Sequence, residues 1–147
     1  MKTYFEPRAQ EELQARLQAL EPGSPARWGR MDAAQMLAHC TEGIRMATGE
    51  VRVKAGFPAL FGWMLKRLAY NDSPFRHGVP TARELRVVDA RAFEVEKGRL
   101  QAGLQKAAQG PSVLGNHPHP FFGRLTDAQW GILLYKHLDH HFRQFGV

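Results

Sequence analysis

Three histidines stand where metal chemistry would need them. His137 and His141 lie four residues apart in TDAQWGILLYKHLDHHFRQF, residues 126–145. On a helix of ~3.6 residues per turn, that spacing sets two rings ~40° apart around the axis. Both can reach one ion. They belong to a stripe of Trp130, Leu134, His137, His141 and Gln144 that begins apolar and ends in imidazoles and an amide. Buried polar groups are costly unless paired. An inward stripe with a polar end therefore calls for a ligand. His39 supplies a third ring, since in DAAQMLAHCTEGIRMAT it shares a face with Met36, Cys40, Gly43 and Ala47. Three imidazoles leave coordination positions open to water or substrate, as in catalytic rather than structural sites. Imidazole suits divalent zinc, nickel or iron, and also copper. Ligation needs neutral rings, so protons compete with the ion as pH falls through ~6.5.

The plain alternative is an all-α core whose three histidines are satisfied by carbonyls and hydroxyls, because an HxxxH pair by itself is a weak signal. Gln144 sits one turn beyond His141, placed to hold a ligand ring or orient a water. His140 is rotated ~100° from His141 and points aside. Leu138 follows His137 where a zincin would carry its glutamate base. In HPHPFFG, His119 is a candidate for the rim of the site, with Phe121 and Phe122 plugging the bundle end. Cys40 reads as a small buried hydrophobe ahead of a sulfur ligand. No phosphate loop, dinucleotide fingerprint or nucleophile elbow occurs.

Four helices must position these groups. Residues 7–20 carry an apolar stripe of Leu13, Leu17 and Leu20, with glutamates early in the segment. EPGSPARWGR then breaks the chain, with Trp28 read as an anchor over the core. The second helix starts at Asp32, where Asp32 and Gln35 form a capping-box pattern, and stops at Gly49. A long connection, residues 50–88, follows. Its amphipathic piece FPALFGWMLKRLAY reads as outer core packing, with a lid or a homodimer contact as the alternative. The third helix spans about 89–109 on Phe93, Leu100, Leu104 and Ala107, and Thr126 caps the fourth. VRVKA and ELRVV are too short to count as strands. The reading is one all-α domain over residues 1–147: a four-helix bundle with a long crossover between helices two and three.

The composition, 44% hydrophobic and 23% charged, is that of a globular domain with a single core. One cysteine excludes a disulfide framework and fits a reducing cytoplasm. No segment is apolar enough for a signal peptide or a membrane span. The charge of +6 is spread from Arg8 to Arg143, without the runs or motifs of a nucleic-acid binder.

WGRMDAAQMLAHC, PTARELRVVDARAFEVEKGRL and HPFFGRLTDAQWGILLYKHLDHHFRQFGV together resemble a bacterial family of unknown function in the DinB-like superfamily. The likeness covers nearly the whole chain. It implies a four-helix bundle with a long crossover, and a divalent metal on one histidine of helix two and an HxxxH pair near the end of the last helix. His39, His137 and His141 fall at those places, and Gln144 matches a glutamine often found three residues on. Some members look like thiol-dependent transferases and others are maleylpyruvate isomerases. The resemblance thus implies a metal-dependent enzyme on a small molecule, with a low-molecular-weight thiol joined to an electrophile as one form. A metal- or small-ligand-binding bundle without turnover is the alternative, because no acid or base is evident beside the three rings.

Overall fold

The computed structural model describes residues 1–54, 66–67, 70–71, 73–79 and 81–147. Among these residues the long helices are four: α1 (Pro7–Ala19), α2 (Ala33–Ala47), α3 (Phe93–Ala107) and α4 (Asp127–Gln144). Among the described residues there is no β-strand; two single 3-10 turns lie at Arg83–Leu85 and Pro111–Val113. The all-α reading holds, and the long connection does run between the second and third helices. The amphipathic piece from Phe57 to Tyr70 falls largely outside the described residues, so its expected packing, lid or dimer role lies there too. No described helix is long and apolar enough to cross a membrane.

The helices start and stop for local reasons. At α2, Asp32 accepts from the Gln35 amide at 2.8 Å, and the Gln35 side chain accepts from the Asp32 amide. Thr126 and Gln129 form the same reciprocal box at α4. Each box satisfies two amide donors that a helix start otherwise leaves open. α1 begins instead with proline at its first turn and has no acidic residue there. Gly49 and Gly110 follow α2 and α3 with φ of 79° and 91°, the left-handed region that side chains avoid. α3 begins at Phe93, four residues later than the sequence suggested, because the chain bends at Asp89, is still extended at Ala92, and Ala92 offers no capping side chain.

α2 is the enclosed helix, with twelve of its fifteen residues buried. It packs against α3 and α4, while α1 closes the bundle against the same two helices. The core combines Leu13, Leu17 and Leu20 with Met36, Leu37, Leu100, Leu138 and Phe142. Removing such side chains from water is the main favourable term in folding. Arg16 then fastens α1 to the end of α4: its guanidinium donates to the Asp139 carboxylate at 2.7 Å and to the carbonyls of Asp139 and Val147. That end of α4 carries His141 and Gln144.

Thr126→Ala removes the side-chain half of the α4 cap and should cost about 1 kcal/mol. Urea denaturation checks this, and the metal content of the variant should equal that of wild type, because the cap is remote from the histidines.

Candidate metal centre

The bundle brings His39, His137 and His141 together. One ring nitrogen from each lies within 4.8 Å of the others, a group able to hold a metal ion. α2 contributes His39 and α4 the other two, as the spacing required. His39 and His141 are buried, and His137 keeps some accessible surface. The ring centroids lie 5.0, 4.7 and 4.8 Å apart with steep interplanar angles, so the rings meet by their edges. Edges, not faces, carry the nitrogen lone pairs.

Hydrogen bonds decide which nitrogens face the centre. His39 Nδ1 lies 2.9 Å from the Leu85 carbonyl. A carbonyl only accepts, so Nδ1 carries the proton and Nε2 keeps its lone pair. Gln144 acts likewise on His141. Its Nε2 donates to the Trp28 carbonyl at 2.6 Å, which fixes the amide orientation. Its Oε1 then accepts from His141 Nδ1 at 2.8 Å, leaving His141 Nε2 bare. His137 Nε2 lies 3.0 Å from His39 Nε2 and must donate to it when no ion is present. Two lone pairs and one hydrogen therefore converge, and an ion takes the place of that hydrogen once His137 moves its proton to Nδ1. Nitrogens ~2.0–2.1 Å from one tetrahedral ion stand ~3.3 Å apart, close to the 3.0 Å already present between His39 and His137. The donor set fits a divalent ion.

Burial sets the electrostatics. It pushes the imidazole of His141 down to about 3, with the neighbouring His39 adding to it. It pushes His137 well below its ordinary value, helped by His141 and His39. His39 is also lowered by burial, against the opposing bond to Leu85. Neutral rings are the ligating form. Proton competition for the ion thus moves below the ordinary histidine range read from sequence.

The other candidates fall outside the three-ring group. His119 is buried, and its Nδ1 accepts from the amides of Phe121 and Phe122 at 3.1 and 3.3 Å. Its backbone pairs with Gly123, so the ring braces a tight turn. Cys40 is fully buried with its thiol on Met36, and burial pushes that thiol up. His140 turns aside as its rotation required, toward Trp28 and His77. Trp28 differs from the sequence reading. It is only half-buried, and its ring stacks on His77 at 3.8 Å rather than sealing the core. The residues that sequence reasoning missed are Leu85 and the Trp28 carbonyl, since both act through backbone oxygens that have no sequence signature.

No family model, no curated protein and no solved structure matches the chain.

One glycine gives the site its room. A Cβ on Gly43 of α2 would stand 3.0 Å from His137 Cε1 and 3.2 Å from its Nδ1. A Cβ on Gly103 of α3 would meet Ile44 at an ordinary 3.4 Å. Gly43→Ala should therefore displace His137 and weaken metal binding by about tenfold or more, the scale seen for neighbours that orient a ligand. Gly103→Ala should keep wild-type affinity. Both substitutions favour the helix, so competition with a chromogenic chelator reads the site and not the fold.

The ion-free protein should also lose stability with acid. Unfolded histidine protonates near ~6.5, whereas folded His141 stays neutral to about 3. Between those values the unfolded chain binds the extra proton. Stability is complete above ~6.5 and falls as pH drops, by ~1.4 kcal/mol per pH unit for each such ring. Urea titrations of chelated protein at pH 7, 6 and 5 should show this slope, and His141→Gln should show a shallower one.

Proposed function

We propose that this chain is a metal-dependent enzyme of the DinB-like superfamily acting on a small molecule. The observation that carries the reading is the convergence of three imidazole edges from two helices, with the far nitrogens of His39 and His141 tied to Leu85 and Gln144. His39, His137 and His141 are the ligands, and zinc, nickel or iron is the ion. Three protein ligands leave a place for water or substrate. A divalent ion held there acidifies a bound water or thiol and so supplies a nucleophile near neutral pH. The reaction class we favour is transfer of a low-molecular-weight thiol: the thiol gives up its proton to solvent, its sulfur bonds to an electrophilic carbon, and the leaving group departs from that carbon with the bonding pair, as chloride does from an aryl chloride. Gln144 has a positioning role: it holds the His141 ring and is itself held by the Trp28 carbonyl.

One observation favours a second reading, a bundle that binds a metal or small ligand without turnover. The three-ring group contains no carboxylate among the described residues. Asp139, on the same helix, is committed to Arg16 and Arg143.

Elemental analysis of untagged protein should find one ion per chain. His39→Ala, His137→Ala and His141→Ala should each lose it while circular dichroism stays helical, because the apolar core is sufficient for a chain of this size. Gln144→Ala should keep the ion but bind it about 10–100-fold more weakly. Consumption of 1-chloro-2,4-dinitrobenzene with cysteine as the thiol should depend on the ion. Full metal content in all three alanine variants would refute the ligand assignment. Full occupancy with no turnover across a panel of thiols and electrophiles would favour the binding bundle.

A further inference from the structure

A second concave site lies beside the metal centre. Its volume is about 540 Å³, within the ~300–1,000 Å³ usual for small-molecule sites. One face of α4 forms its floor through Ile132, Lys136, Asp139, His140 and Arg143, at helical steps of three and four. Arg27 and Trp28 form one wall, and the crossover residues Phe75 and His77 another. His140 is the partition: its ring centroid is 5.1 Å from that of His141 and 5.5 Å from that of Trp28.

The lining has two properties. The first is charge. Among the described residues, the cavity is lined by Lys2, whose ammonium is paired with Glu12, by the cationic side chains of Arg27, Lys136 and Arg143, and by one carboxylate, Asp139. That carboxylate already takes Arg16 at 2.7 Å and Arg143 at 3.0 Å. Among the described residues the cations stay in excess over Asp139 and Glu12, and a concave surface with such an excess focuses its potential on an anionic ligand. The second property is flat apolar surface. Trp28 and His77 stack at 3.8 Å with an interplanar angle of 12°, and Phe75 lies beneath the Lys136 ammonium at 4.8 Å. Lys136 is steered there by Asn71, whose carbonyl and side-chain oxygens accept from it at 2.9 and 2.8 Å.

We infer that this cavity binds a small planar organic acid, an aromatic or conjugated body bearing a carboxylate. Guanidinium and ammonium groups take the carboxylate by charge-assisted bonds. The aromatic faces take the planar body. That such an acid is the substrate of the neighbouring centre rests on the enzyme reading above; its binding to the cavity does not, since no metal ligand lines it.

Calorimetric titration of the full chain with benzoate, benzamide and inorganic phosphate tests this, first on chelated and then on metal-loaded protein. Benzoate should bind the ion-free form, with benzamide and phosphate each at least tenfold weaker. Arg27→Gln, on an exposed loop residue, and Lys136→Gln should each weaken benzoate at least threefold with metal content unchanged. Benzamide as tight as benzoate would show that the cations do not select. Phosphate as tight as benzoate would show that the aromatic faces do not. No benzoate binding, or binding untouched by Arg27→Gln, would overturn the proposal outright. Because the first arm needs no ion, loss of the metal assignment leaves its result readable.

Discussion

A neutral imidazole carries one N–H and one lone pair, and burying it requires a use for both. This constraint organises the molecule around His39, His137 and His141. The outer nitrogens of His39 and His141 are tied to fixed oxygens, which leaves one nitrogen of each to meet His137 at the common centre. Without an ion, three rings can complete only part of that pattern among themselves. They form one mutual bond, from His137 to His39, and leave the lone pair of His141 facing the same centre. A cation would complete it. Burial also holds the rings neutral, so the fold that enforces convergence keeps the rings in their ligating form as well.

The parts that enforce this are distributed along the chain. α2 can sit close to α4 because Gly43 has no side chain where His137 passes. The crossover between α2 and α3 is more than a connection, since its buried Leu85 places a carbonyl against His39. The Trp28 loop does the same for Gln144, and Gly29 permits it. Its φ of 83° and its missing Cβ leave room for the Gln144 amide. Two helices and two connecting segments therefore share one polar cluster. Such a network is costly when half satisfied and specifying when complete.

Charge has separate tasks in the same structure. Exposed ion pairs such as Arg45–Glu42 and Lys106–Glu50 contribute little to stability in water. The partly buried Arg16–Asp139 pair is different, because it ties α1 to the C-terminal turns of α4 and engages the one carboxylate that lines the cavity among the described residues. Four cationic side chains, Lys2, Arg27, Lys136 and Arg143, line the same concave place.

Periodicity in the amino-acid sequence was enough to place the four helices, because a 3.6-residue repeat of apolar side chains reports which face each helix buries. It gave the capping box at Asp32, the stop at Gly49 and the inward faces of His39, His137 and His141, since caps and faces are set by residues a few positions apart. The start of α3 was read too early, for the residues before it carry helix-compatible side chains and only the absence of a cap marks them. Trp28 was read as a core anchor from size alone; only the fold shows it stacked on His77, 49 residues away. Partners supplied by backbone carbonyls were invisible for the same reason. Every residue has one, and its direction depends on how the distant segments of Leu85 and Trp28 pack. Local chemistry is written in residue types and spacing, whereas the tautomers, the convergence of lone pairs and the neighbouring cationic cavity arise from contacts between segments remote in sequence, which the tertiary structure alone decides.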